Sequence, residues 1–479
     1  MSREEDSGGG ICILTQVTQI TDLNEVVRKA AEYRETQDES VRDRIVSNIY
    51  NEAETLASSV VSHLERRVDW DRKIDNIVTS RILGYPLMLA LLGAVFWVTL
   101  SGANVPTDML ANFFFGLEEH LSALFFQFGA PDWLHGLVVL GTYRALAWVV
   151  SVMLPPMAIF FPIFTLLEDL GYLPRVAFNL DRAFKRVGAH GKQALTMSMG
   201  FGCNAAGVIA ARIIDSPRER MIAILTNNFV PCNGRFPAII AISMIFLAGG
   251  VISVYGTILA AAMVVALILI GISVTLLVSW LLSKTLLRGE PSTFTLELPP
   301  YRKPQIIPVI VRSLFDRTLF VLTRAVIVAA PAGALTWIFA NIYIGDLSVI
   351  GYVAGWLDPF ARAIGLDGII VLAFILGLPA NEIVVPIMVM SYLAAGSMLE
   401  FDSLLAFRQL LLSQNWTMLT ALNFMIFSLL HFPCGTTLLT IRKETGSLKW
   451  TVLAATIPTI VAVLVCFIIA QGARLTGLV

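Results

Sequence analysis

Residues 200–237 read GFGCNAAGVIAARIIDSPRERMIAILTNNFVPCNGRFP. Apolar sequence flanks this stretch, yet it holds Cys203, Cys232, Asn204, Asn227, Asn228, Asn233 and four arginines, with Gly202 and Pro231 directly before the two cysteines. At bilayer depth such a mixture is costly. Backbone broken by glycine or proline leaves amides and carbonyls unpaired unless protein or a watery cavity satisfies them. Polar residues kept there against that cost mark transport paths, so the stretch is the candidate site.

Composition supplies the membrane. Of 479 residues 56% are hydrophobic and 14% charged, with a mean hydropathy of +0.74, whereas soluble domains carry roughly 25% charged residues. Runs such as 87–100, 251–282 and 452–470 are apolar over most or all of the ~20 residues a spanning helix needs. The fold class is therefore all-α: a polytopic helical membrane protein with about seven spanning helices and two re-entrant hairpins. A net charge of −1 argues against a nucleic-acid partner. The N-terminus lacks the charged-then-apolar pattern of a cleavable signal, so residues 1–81 are expected to stay attached.

Within 22–81, Ile45, Ile49, Leu56, Val60, Leu64 and Val68 recur at helical spacing among charges, which predicts an amphipathic helix facing a partner domain or the lipid surface. A first span is expected over 82–100. From there to Arg144 no Lys or Arg occurs, which places this loop outside and the N-terminus in the cytoplasm. Its aromatic segment 113–128 reads as a separate interfacial helix. A span over 134–167, with a kink at Pro155 and Pro156, leads to a basic cytoplasmic segment. Residues 193–212, divided at Gly202–Asn204 and flanked by basic groups, predict a hairpin entering from the cytoplasm. A span over 221–247 is broken at Pro231–Gly234, and 251–282 returns to a linker at 284–317.

The second half repeats the order: a span over 318–342, a hairpin over 368–395 divided at Gly377–Glu382, a span over 408–441 broken at Pro433–Gly435, and a last span over 450–470. NFVPCNG recurs loosely as HFPCGT, and GFGCN as GLPAN. Broken helices facing each other at midplane in two halves of opposite orientation form an inverted-repeat transporter architecture. The domains are accordingly 1–81, cytoplasmic; 82–283, membrane; 284–317, cytoplasmic linker; and 318–479, membrane.

Cys203, Cys232 and Cys434 stand at helix breaks, whereas Cys466 lies in an unbroken apolar run and reads as packing. Three thiols with nearby amide oxygens form a mixed soft and hard donor set, suited to a borderline divalent cation such as Fe²⁺ over Mg²⁺ or Ca²⁺. Asn204, Asn233, Asn381 and Glu382 complete the candidate metal set. Glu382, in an apolar hairpin, needs an ion-pair partner or a place on a cation path. Met197 and Met199 read as packing, and His431 as one polar contact to a neighbouring helix. Glu168 and Asp169 sit where the helix reaches the cytoplasm, so headgroup-level solvation and a functional role are equally open. No catalytic residues are expected. No P-loop appears, since Gly191-Lys192 is followed by Gln193 and Arg186 stands where the first glycine belongs.

The segments LEDLGYLPRVAFNLDRAFKRVGAHGK, GFGCNAAGVIAARIIDSPRERMIAILTNNFVPCNGRFP, LPANEIVVP and HFPCGTTLLTIRKETGSLKW closely resemble the membrane part of the FeoB ferrous-iron transporters, over roughly residues 42–472. The resemblance gives each membrane region one Gate motif. It implies transport of Fe²⁺ as substrate into the cytoplasm across a prokaryotic inner membrane, with Cys203, Cys232 and Cys434 as the family's membrane cysteines. Ala206 stands where relatives often carry Pro, and Pro-Cys-Asn replaces a commoner Ser-Cys-Ser. The family's GTP-binding domain is missing from the match, which implies a small GTPase supplied separately or removed, alongside a small cytoplasmic accessory protein. A homo-oligomer is compatible with the sequence. Two alternatives stay open: a Gate-type transporter of another divalent metal or a nucleoside, and a non-transporting membrane anchor for a G protein.

Overall fold

The computed structural model describes residues 28–29, 32, 41–60, 70–80, 82–247, 254–289, 301, 304–398 and 404–477. The chain divides into two units, 1–70 and 71–479. In the first, α1 (Val41–Val60) carries Ile49, Leu56 and Val60 well exposed. Leu64 and Val68, which extend the predicted stripe, lie outside the described residues.

Among its described residues the regular structure of the second unit is helical apart from a hairpin of two-residue strands, β1 (Tyr343–Ile344) and β2 (Leu347–Ser348). After α2 (Trp70–Val78) comes α3 (Gly84–Gln127), a single helix of 44 residues. The predicted span and interfacial helix are thus one element. Pro106 inside it removes one hydrogen bond without ending the helix, and at 1.5 Å per residue it runs about 66 Å. Its far half is held by the next span: Arg144 pairs with Glu118, and the Tyr143 hydroxyl donates to Phe114 O at 2.8 Å.

That span, α4 (Asp132–Asp169), is continuous through Pro155, Pro156 and Pro162. Its first third is π-helical, Gly136–Tyr143. Gly136 and Gly141 face the Trp337 side chain so closely that a Cβ at either would overlap it, which lets the helix carrying Trp337 press against this segment. The amphipathic α5 (Tyr172–Arg186) follows. Then come a hairpin of α6 (Gln193–Gly202) and α7 (Asn204–Ala210), a broken span of α8 (Pro217–Thr226) and α9 (Phe236–Leu247), and α10 (Val254–Lys284).

The second half begins at α11 (Ile306–Arg312), which continues through π-helical Ser313–Leu319 into α12 (Phe320–Asn341). Helix thus starts inside the segment read as linker, with Pro308 in the first turn, where no amide is needed. The order then repeats: amphipathic α13 (Val349–Ala363); a hairpin of α14 (Gly368–Leu376), a 3₁₀ turn Asn381–Ile383 and α15 (Val384–Tyr392); α16 (Leu404–Ser413); a broken span of α17 (Met418–Leu430) and α18 (Gly435–Thr445); and α19 (Leu448–Leu475). The predicted 408–441 helix is divided once more, since Asn415 takes φ +58° and separates α16 from α17. Six described helices are long and apolar enough to cross a membrane, or seven if α13 and α14, bent by 110°, form one span. The protein is an integral membrane protein.

At the charged end, Arg175 is 1% exposed. It donates from Nε to Asp75 Oδ1 at 2.8 Å and from Nη1 to Gly171 O at 2.7 Å, and it stacks over the Tyr301 ring at 3.7 Å. The guanidinium holds the Asp75 carboxyl below the usual carboxylate range. A carboxylate with a depressed folded-state pKa adds stability above its unfolded pKa and loses it as pH falls through the folded value. Wild-type protein is therefore expected to lose thermal stability below about pH 4 by a component that Asp75→Asn lacks. Parallel melting curves of the two proteins between pH 3 and 6 check this.

Candidate functional site

Four chain breaks meet at one place. Between α6 and α7, Cys203 is extended, φ −155° and ψ 126°. It ends one helix and stands at the N-cap of the next. Between α8 and α9 the chain leaves helix after Asn227–Phe229, and Pro231 has no amide to continue it. The third break is Gly377–Ala380, after α14, and the fourth is His431–Cys434, between α17 and α18, with Cys434 as N-cap.

The freed backbone groups pair with one another. Asn233 N donates to Gly202 O at 3.3 Å and Gly435 N to Leu378 O at 2.6 Å, so in each half the broken span gives an amide to that half's hairpin. Other bonds cross between halves: Asn228 Nδ2 to His431 O at 2.6 Å, and Asn381 Nδ2 to Cys232 Sγ at 3.8 Å. His431 Nε2 lies 3.3 Å from Asn381 Oδ1, the neighbouring-element contact expected of it. Arg235, 1% exposed, is the main clasp. Its Nη1 donates to Asn228 O at 2.9 Å and Leu429 O at 2.6 Å, and its Nη2 to Asn228 Oδ1, His431 O and Phe432 O at 3.1–3.3 Å.

Between the breaks lies a cavity of about 30 Å³, and all seven residues singled out from the sequence line it: Cys203, Asn204, Cys232, Asn233, Asn381, Glu382 and Cys434. Room of this size admits one or two bodies as large as water. Cys466 is elsewhere, buried on α19 against Asn423 O at 3.6 Å. Met199 and Glu168 line a different cavity, Met197 an apolar one, and the Asp169 carboxylate accepts from Gln305 N. Among the described residues no three His, Cys, Asp or Glu side chains stand in a metal-holding cluster, and none of the described ion pairs includes Glu382.

Four helical segments start at the cavity: α7 after Cys203, α18 after Cys434, α9 just beyond Gly234, and the turn Asn381–Ile383 that leads into α15. Helix N-termini carry positive partial charge. With Arg235 they repel a bare cation and attract negative charge. Anionic ligands on the wall would offset this. The Asn204 Oδ1 oxygen is buried without a hydrogen-bond partner, an available hard donor.

Two larger cavities flank this one. One, of about 400 Å³, is lined by Glu168, Met199, Ala206, Arg212, Lys443 and Glu444 among others. The other, of about 200 Å³, is lined by Trp148, Val152, Pro237, Val385 and Phe407 together with Gly234, Asn381 and Glu382. Helix α4 orders all three, with Trp148 and Val152 at the apolar cavity, Met153 and Met157 at the thiols, and Glu168 at the charged cavity. The stretch of α4 from Pro155 to Glu168 is about 20 Å long. From the thiols, α7 and α18 run side by side to the charged cavity, where Arg212 and Glu444 join in a two-pronged ion pair at 2.7 and 2.6 Å. In the other direction α9 and α15 lead to the apolar cavity.

Sequence reasoning did not assign Arg235, the Arg212–Glu444 pair or Gly234. A lone arginine between Gly234 and Phe236, in an apolar setting, was the available signal for the first. The ion pair joins residues 232 positions apart, which spacing does not reveal.

A family model described as Gate, nucleoside recognition, matches residues 150–246 and again 322–448, one stretch inside each of the two halves. A second, the C terminus of ferrous iron transport protein B, matches 264–316. The Fe(2+) transporter FeoB of Staphylococcus aureus (strain MSSA476) is 30% identical over 478 residues, covering 96% of this chain and 68% of the relative. The chain belongs to the FeoB family. Within it, the FeoB of Methanocaldococcus jannaschii is 26% identical over 89% of this chain and 62% of its own length. A Porphyromonas gingivalis protein named as a fusion of Fe(2+) transport protein A with FeoB is 27% identical over 83% of this chain and 51% of its own.

Proposed function

We propose that this FeoB-family chain carries Fe²⁺ into the cytoplasm of a prokaryotic cell across its inner membrane, with the 30 Å³ cavity as the transient binding site. Cys203, Cys232 and Cys434 are its sulfur ligands, and Asn204, Asn233, Asn381 and Glu382 its oxygen donors. The convergence of these seven residues on one enclosed point between two vestibules carries the reading. In this reading the charged vestibule and the N-terminus face the cytoplasm, which the basic flanks in the sequence support. The substrate enters past Trp148 and Phe407, sheds water among the thiols and leaves past Arg212 and Glu444. Nucleotide hydrolysis would come from a GTPase, either encoded separately or removed, and the fused name of the Porphyromonas gingivalis relative supports a small accessory partner.

The Gate description favours a second reading, nucleoside transport. Sites for organic ligands are about 300–1,000 Å³, tenfold larger than this cavity, so the ion is the better fit. Uptake of Fe²⁺ into proteoliposomes under reducing conditions, challenged with excess nucleoside or excess Mn²⁺, decides. Inhibition by nucleoside alone would overturn the assignment.

The Arg212–Glu444 pair ties together the far ends of two helices that begin at Cys203 and Cys434, so it acts as the cytoplasmic latch. Arg212 is largely exposed, and a pair of that kind is worth at most about 1 kcal/mol, weak enough to open each cycle. Arg212→Glu or Glu444→Arg alone is expected to slow uptake roughly threefold, the equivalent of about 0.6 kcal/mol. The double exchange should restore it. Initial rates in proteoliposomes measure the effect.

A further inference from the structure

We infer that Gly234 is the seat on which the Glu382 carboxylate rests to shut the thiol cavity from the apolar vestibule. The inference rests on the proposed path but concerns its closure and not its cargo. Gly234, Asn381 and Glu382 line both cavities, so these residues form the partition between them. A Cβ at Gly234 would overlap Glu382 Oε1 and stand 2.5 Å from its Cδ and 3.1 Å from Oε2. Only glycine leaves the carboxylate room at this position. Gly234 and Glu382 come from different halves, one just before α9 and one just before α15, so the contact closes only when the two repeats are drawn together.

A side chain at 234 pushes the far end of Glu382 away, and the available space sets the direction. The thiol cavity holds about 30 Å³ and the apolar vestibule about 200 Å³, so the carboxylate moves into the vestibule and the partition opens. Gly234→Ala therefore acts through Glu382, and residue 234 determines whether the site is closed on the side away from the latch.

The test is side-selective labelling in the full-length chain. With Cys12 and Cys466 replaced by serine and alanine, intact vesicles of known orientation receive a membrane-impermeant methanethiosulfonate on the face of the apolar vestibule. Mass spectrometry then follows modification of Cys232 and Cys434. Gly234→Ala and Glu382→Ala are each expected to raise the labelling rate at least about tenfold. The double variant should label no faster than Glu382→Ala alone. Unchanged labelling in Gly234→Ala, or a double variant that multiplies the two effects, overturns the inference. If Gly234→Ala does not fold, Glu382→Ala against the isosteric Glu382→Gln decides, since only the first removes the partition. Equal rates in Glu382→Ala and wild type refute it. Labelling that follows this pattern while Fe²⁺ uptake survives thiol modification would sink the iron path and leave the seat standing.

Discussion

Replacing Cys203, Cys232 and Cys434 together by alanine is expected to reduce Fe²⁺ uptake to that of protein-free vesicles, while the melting temperature stays within about 5 °C of wild type. The chemistry is lopsided in favour of sulfur. Helix N-termini face the cavity and add positive partial charge, and among the described residues Glu382 is the only carboxylate on its wall. Without the cysteine sulfurs a divalent ion would be left with one carboxylate and neutral amide oxygens on this wall. Folding draws little from the sulfurs: Cys203 and Cys232 border a void already present, the Cys232 Sγ accepts only a long bond from Asn381 Nδ2 at 3.8 Å, and the Cys434 Sγ contacts only the Thr437 hydroxyl at 3.3 Å among its described hydrogen bonds. Cys466→Ala serves as the control and should transport normally. Wild-type flux from the triple variant, measured under reducing conditions with a metal-sensitive dye inside the vesicles, would remove the cysteines from the path.

Arg235→Met should be the most destabilising single change in the membrane unit. Its two terminal nitrogens hold three carbonyls at the end of α17, together with the backbone and side chain of Asn228. A buried acceptor left without a donor costs about 1–3 kcal/mol, and several would be stranded at once, so a loss of about 3–5 kcal/mol is expected. Arg235→Lys should fall between, because one ammonium cannot reproduce a planar fork that faces two groups of acceptors. Thermal unfolding in detergent and the monodisperse fraction on size exclusion report the result. A methionine variant as stable as wild type would mean that the clasp is dispensable.

The breaks were legible in the sequence because glycine, proline and asparagine have no cheap place inside an apolar helix, and each of GFGCN, VPCNG, GLPAN and FPCG does interrupt one. The grouping of Cys203, Cys232 and Cys434, with Cys466 set apart, followed from the same reasoning. What lies between elements was less readable. Ser101 to Asp108 looks like a loop by polarity and holds Pro106, yet the one hydrogen bond lost there does not end the helix and α3 runs through it. Asn415, whose left-handed backbone separates α16 from α17, carries no hydrophobic signal. The π-helical first third of α4 packs against Trp337, almost two hundred positions later, which needs two glycines beneath it. Arg235 was visible as a charge, but its partners are carbonyls, which sequence does not mark.

The crossed bonds at the four breaks also bear on how such a molecule could come apart. Each half gives an amide to its own hairpin, but Asn228, Arg235 and Asn381 reach into the other half for their partners. A lone half in lipid would therefore hold orphaned carbonyls at the depth where they are least tolerated. The four breaks can therefore meet only when both halves are present, so pairing of the halves and formation of the cavity between them are in that sense one event.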